Sequence, residues 1–153
     1  MDSNSTKFIH TAEYVKILEE LTHNRKTVGV PISGNSMAPF LISQRDYVIF
    51  QKPNRPLKTG DIVFFRRDTG EYILHRISKI RKKQYYILGD AQTQLEGPVR
   101  EEQIFGLVIK VRRKGKWIDQ SDFWWKFFEK VWIRMIPLRP AARKLYGIVK
   151  GDS

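Results

Sequence analysis

Gly60-Asp61-Ile62-Val63-Phe64-Phe65-Arg66-Arg67-Asp68-Thr69-Gly70-Glu71-Tyr72-Ile73-Leu74-His75-Arg76-Ile77-Ser78-Lys79-Ile80 carries the clearest structural signal in the chain. Two apolar runs, Ile62 to Arg66 and Tyr72 to Ile80, flank the turn formers Asp68, Thr69 and Gly70, a β-hairpin pattern. Similar short runs lie on either side. Val28 to Ile32 and Tyr47 to Gln51 precede it, the second ended by Pro53, Asn54 and Pro56. Tyr85 to Leu88, Ile104 to Val111 and a short run at Trp117 and Ile118 follow it. Short strands at this spacing predict a mainly β domain of coiled sheets, without βαβ units. Thr11 to Thr22 reads as a short helix capped by Thr11, with Tyr14, Val15, Leu18 and Leu21 at helical spacing.

The 153 residues suit one domain of ordinary size. The hydrophobic fraction of 41% and charged fraction of 29% exclude wholesale disorder. Cysteine is absent, which excludes disulfides, cysteine nucleophiles and thiolate metal sites. His10, His23 and His75 lack helical ligand spacing, so neither a metal nor a cofactor is expected. Lys and Arg number 28 against 16 Asp and Glu, a net charge of +12 that favours anionic partners without choosing among them. The longest uncharged stretch, Thr27 to Gln44, contains Gly29, Pro31, Gly34 and Pro39, and a membrane span needs about 20 mostly apolar residues. The N-terminus is polar from Asp2 to Thr6, so no secretory signal is expected and the cytoplasm is the expected location.

The composition changes at Ser121. Six aromatic residues lie between Phe123 and Trp132. Ser121 is placed to cap a helix with Asp122 in its first turn. Helical spacing puts Trp124, Phe127, Phe128, Val131 and Met135 on one face and Lys126, Glu129, Lys130 and Arg134 on the other. Pro137 stops this helix, and a second basic piece runs from Ala141 to Lys150. An aromatic, basic amphipathic helix matches a membrane-surface anchor, but a face that covers the β domain comes ahead of it, with a partner groove as the third reading. Trp124, Trp125, Phe128 and Trp132, with Lys126 and Lys130, are the candidate contacts to an anionic membrane or a partner. The chain thus divides into an N-terminal helix and linker (1–27), a β domain (28–120) and a helical tail (121–153).

Three features carry chemistry. Ser33-Gly34-Asn35-Ser36-Met37 is a glycine-loosened turn after a strand, which presents Ser36 with backbone N–H groups around it, the geometry an oxyanion hole needs. His75 lies in a strand-like run, and Gly89-Asp90 ends another in a turn. Singly, each is ordinary turn or strand chemistry.

In this order and spacing they resemble the boxes of the signal peptidase family and its LexA-like relatives. Ser33 to Met37 with Pro39 and Leu41 is similar to the nucleophile box, and Gly60 to Phe65 to the strand after it. Tyr72 to Ile77 is similar to the base box, Gly89-Asp90 to the last box, and Ile104-Phe105-Gly106-Leu107-Val108 to the closing strand. His75 stands where many members carry lysine, so the resemblance is closest to the histidine-base, endoplasmic-reticulum-type enzymes, here without a transmembrane anchor. The resemblance implies coiled sheets of the LexA/signal peptidase type, with a short N-terminal helix and C-terminal amphipathic helices. It also implies a serine endopeptidase acting on a peptide, leader or signal segment. Ser36 would be nucleophile and His75 general base, with the oxyanion held by the Ser36 N–H and the turn of Ser33, Gly34 and Asn35. Asp90 or Glu96 would orient the imidazole. The last box reads Gly89-Asp90-Ala91-Gln92 and departs from the family's pattern. A lysine base must be buried to lose its proton, whereas a histidine starts near about 6.5.

Two other functions compete. One is a non-catalytic membrane- or partner-binding module on a decayed peptidase fold. The other is a LexA-like self-cleaving regulator. The 27 residues before Val28 are few for a three-helix DNA-binding unit, and neither Ala-Gly nor Cys-Gly occurs. No specific nucleic-acid partner is expected.

Overall fold

Apolar residues alternate along the outer strands, which bury one face, whereas the central β-runs at Ile62–Arg66 and Ile104–Arg113 are buried on both faces over part of their length. In Tyr47–Gln51, Val48 and Phe50 point inward while their neighbours are half-exposed. The computed structural model describes residues 12–24 and 26–139. Helix α1 spans Ala12–His23, and the Thr11 cap expected for it lies outside the described residues. The strands are β1 (Val28–Pro31), β2 (Tyr47–Gln51), β3 (Ile62–Arg66), β4 (Tyr72–Arg81), β5 (Gln84–Leu88), β6 (Glu96–Arg100), β7 (Ile104–Arg113) and β8 (Lys116–Ile118). The expected strands all form, most of them within a residue or two of their expected ends. Strand β6 has no counterpart in the sequence reading, and its Gly97 and Pro98 are residues disfavoured within strands. A proline is tolerated there because β6 is the edge strand, paired only with β5.

All strands pair antiparallel in the order β1-β2-β7-β3-β4-β5-β6, with β8 also on β7. Ten-residue β7 joins the halves: it pairs with β2 through Leu107 to Arg112 and with β3 through Ile104 to Leu107. Register shifts at Ile49/Phe50, Phe64/Phe65, Ile77/Lys79 and Tyr85/Ile87 bend the strands. The coiled sheet encloses two apolar clusters. One gathers Val63, Phe65, Ile77 and Ile87. The other gathers Phe40, Leu41, Val48, Phe50 and Phe105 with Leu18 of α1 and with Trp125, Phe128 and Trp132.

The last segment opens with helix α2 (Phe123–Lys126), capped by Asp122, whose carboxylate accepts from the Trp124 and Trp125 N–H groups. The expected cap Ser121 instead donates its hydroxyl to Asp119. The helix then widens to a π turn over Phe127–Val131 and tightens to 3-10 turns over Trp132–Arg134 and Ile136–Leu138. This change of pitch rotates side chains away from their ideal-helix positions. Trp125, Phe128 and Trp132 are buried, whereas Trp124 and Val131 from the expected apolar face are exposed. Glu129, expected on the polar face, is buried and paired with Lys58 at 2.7 Å. The basic piece from Ala141 to Lys150 lies outside the described residues. Among the described residues, no helix is long and apolar enough to cross a membrane.

Candidate active site

The loop after β1 is pinned by its apolar side. Met37, Phe40 and Leu41 are buried, while Ser33, Gly34 and Asn35 are exposed and Ser36 is half-buried. Gly34 takes φ of +82°, a conformation that favours glycine. The Ala38 N–H is taken by the Asn35 carbonyl at 3.2 Å. Asp46 locks the end of the loop: its buried carboxylate accepts from the Ile42 and Lys114 N–H groups and from Arg45.

His75 stands on β4 opposite Val63 of β3 and is 3% exposed. Its ring lies 6.4 Å from that of Phe65, and its Nδ1 has no hydrogen-bond partner. Burial pushes its pKa down to about 4, and the Arg67 guanidinium acts in the same direction. The carboxylates of Glu96 and then Asp90 pull the other way without prevailing. Local burial, more than the overall positive charge, keeps this imidazole neutral.

Gly89 brings Ser36 and His75 together. A Cβ at Gly89 would collide with the Ser36 carbonyl oxygen and lie 3.1 Å from His75 Cδ2. The next turn residue but one completes the joint, as the Ala91 N–H donates to the Ser36 carbonyl at 2.9 Å. The serine loop and the histidine strand thus meet at one glycine, where only the absence of a side chain lets three segments touch.

The two candidate acids are engaged elsewhere. Both Asp90 oxygens accept from Arg76, each at 2.8 Å, in a pair about 1% exposed on both sides. Arg76 also donates to the Gly60 carbonyl at 2.9 Å. Strand alternation places Arg76 on the face opposite His75, so a carboxylate gripped by Arg76 is directed away from the imidazole. Both Glu96 oxygens accept from Arg67, at 2.7 and 2.8 Å. Neither acid bonds Nδ1.

The tail residues fall into two groups. Trp125, Phe128 and Trp132, expected as surface contacts, are core residues instead, because they pack on Phe40 of the serine loop or on each other. Trp124, Lys126 and Lys130 are exposed, with Phe123 beside Trp124. Sequence reading missed Arg67, Trp132 as a hydrogen-bond donor, and Arg139, which is fully buried. Their partners at the site, Glu96, Asp90, Gly89 and Gln92, are 29 to 50 residues away in sequence, so no local pattern marks these roles. Among the described residues, no group of three His, Cys, Asp or Glu side chains is placed to hold a metal ion.

A mainly antiparallel sheet carrying a serine turn beside a buried histidine is consistent with a serine peptidase-like or LexA-like fold. The chain belongs to the Peptidase S24-like family, whose sequence model matches residues 3–109, well over half of its length. No curated protein and no solved structure gives a significant match.

Proposed function

We propose that the protein is a serine endopeptidase of the histidine-base type, cleaving a peptide or leader segment. The observation that carries this reading is the meeting of Ser36 and His75 at Gly89. Ser36 Oγ attacks the scissile carbonyl as His75 takes its proton, and the carbonyl oxygen becomes the oxyanion. The Ser36 N–H, which meets no acceptor among the described residues, donates to that oxyanion. The C–N bond breaks as His75 returns the proton to the leaving amine, leaving an acyl-enzyme. Water, deprotonated by His75, then releases the acid and restores Ser36. Glu96 is the acid we assign to position the imidazole. It exerts the larger pull of the two carboxylates on His75 and is 32% exposed, and in this role it exchanges Arg67 for Nδ1, whereas Asp90 is sealed against Arg76.

Mass spectrometry of a peptide mixture digested by wild-type protein and by Ser36→Ala tests the reading. New ends from wild type alone support it, and His75→Ala should match Ser36→Ala. Equal digestion by the Ser36→Ala control would sink it.

The unpartnered Nδ1 and the two arginine-bound acids favour a second reading, a binding module without catalysis. In either reading, we propose that contact with an anionic membrane surface falls to Phe123, Trp124, Lys126 and Lys130. Sedimentation with anionic vesicles should be lost in Phe123→Ser/Trp124→Ser. Unchanged sedimentation would assign those side chains no lipid role.

A further inference from the structure

We infer that Trp132 and Arg139 are positioning residues for Ser36, clamping the Gly89–Gln92 turn from a segment beyond the family-matched residues. The inference rests on Ser36 being the reacting group, as proposed above. The turn is internally closed: the Gln92 N–H donates to the Gly89 carbonyl at 2.9 Å, and the Gly89 N–H donates to Gln92 Oε1 at 2.8 Å. Its contact with the serine loop is the Ala91 N–H bond to the Ser36 carbonyl.

Two supports hold this turn. Arg76 of β4 grips the Asp90 side chain. The backbone is held by the last segment. Trp132 Nε1 donates to the Asp90 carbonyl at 2.8 Å, a buried bond across 42 residues of sequence. Arg139 donates through Nη1 to the carbonyls of Gln92 at 2.9 Å and Gly89 at 3.3 Å, and through Nη2 to that of Trp132 at 3.0 Å. Its guanidinium carbon lies 5.4 Å from the Trp132 ring centroid.

Arg139 is a costly way to fill space. It is 0% exposed, its Nε has no partner, and its acceptors among the described residues are all carbonyls. A buried cation without a bonded carboxylate persists where the geometry it imposes is worth the desolvation. Here that geometry is the carbonyl positions of one turn. Because even a Cβ on Gly89 would meet both the Ser36 carbonyl and His75, any drift of the turn moves the nucleophile relative to its base. A misplacement of about 1 Å costs on the order of a hundredfold in rate.

The test uses the full chain and two readouts. One is the rate at which a fluorophosphonate probe labels Ser36, and the other is hydrogen exchange at the Ala91 amide. Trp132→Phe keeps the ring and removes the donor, and Arg139→Lys keeps the charge and removes the fork, so both serve where Arg139→Ala fails to fold. Glu129→Gln, which breaks the pair with Lys58 in the same segment, controls for loss of stability. The expected result is roughly tenfold or more slower labelling in Trp132→Phe and Arg139→Lys, with Glu129→Gln labelled at the wild-type rate. Ala91 exchange should be faster in the two clamp variants and unchanged in Glu129→Gln. Wild-type labelling and exchange in both clamp variants overturns the inference, and so does equal slowing in Glu129→Gln. Wild-type protein that is not labelled refutes the peptidase reading. The clamp is then decided by exchange alone, faster Ala91 exchange upholding it and unchanged exchange refuting it.

Discussion

His75 sets the pH behaviour at the scale of single residues. Its folded pKa of about 4 lies below the unfolded value of about 6.5. The stability it contributes is therefore complete above pH 6.5 and is lost as pH falls toward 4, because the unfolded chain takes up the proton first. The loss is on the order of 3 kcal/mol, and chemical denaturation of wild type against His75→Gln between pH 7 and 4 measures it. The acid limb of peptidase activity should likewise lie near pH 4. Glu96 draws the imidazole pKa upward, so Glu96→Gln should shift that limb to lower pH and reduce kcat more than it changes KM. A limb at the same pH in both proteins refutes the role given to Glu96. Gly89→Ala should lose activity and about 1–3 kcal/mol of stability, since the new Cβ would push the Ser36 carbonyl away. Asp90→Asn leaves Arg76 buried with half its partner and should cost about 3–5 kcal/mol, read as a fall in unfolding midpoint.

At the scale of elements, the segment from Phe123 to Leu138 behaves as two faces of one irregular helix. Its inner face is core, as Phe128 lies 4.9 Å from the Phe40 ring and 5.5 Å from that of Trp132. Its outer face holds Phe123 at 68% exposure. Phe128→Ala should therefore destabilise by about 3–5 kcal/mol. Phe123→Ala should fall within about 0.5 kcal/mol of wild type. Thermal unfolding of the pair decides it, and similar midpoints would refute the assigned faces.

For the whole molecule, the sheet is coiled enough that no strand pair holds the site alone. Ser36 follows β1, His75 sits on β4, and the turn that joins them follows β5. Strand β7 bonds both β2 and β3, so it ties the serine side to the histidine side. The first apolar cluster is closed by α1 and by the last segment. A chain ending at residue 120 should lose cooperative unfolding, because Phe40 would lose Trp125 and Phe128. A sharp transition by circular dichroism in that truncation would show that the β domain stands alone.

The sequence by itself determined seven of the eight strands, because alternation and turn chemistry are local. It also pointed to the candidate segments around Ser36, His75 and Gly89-Asp90, through the order and spacing of motifs that are ordinary singly. Strand β6 escaped because an edge position, which a Gly-Pro pair can occupy, is a property of the sheet. The faces of the last helix escaped because a change of helical pitch is imposed by packing, not by spacing. Only the tertiary structure decided where the charges went. Asp90 belongs to Arg76 and Glu96 to Arg67 through contacts 14 and 29 residues apart in sequence. The neutrality of His75 was decided there too, because the burial that produces it comes from segments distant in the chain.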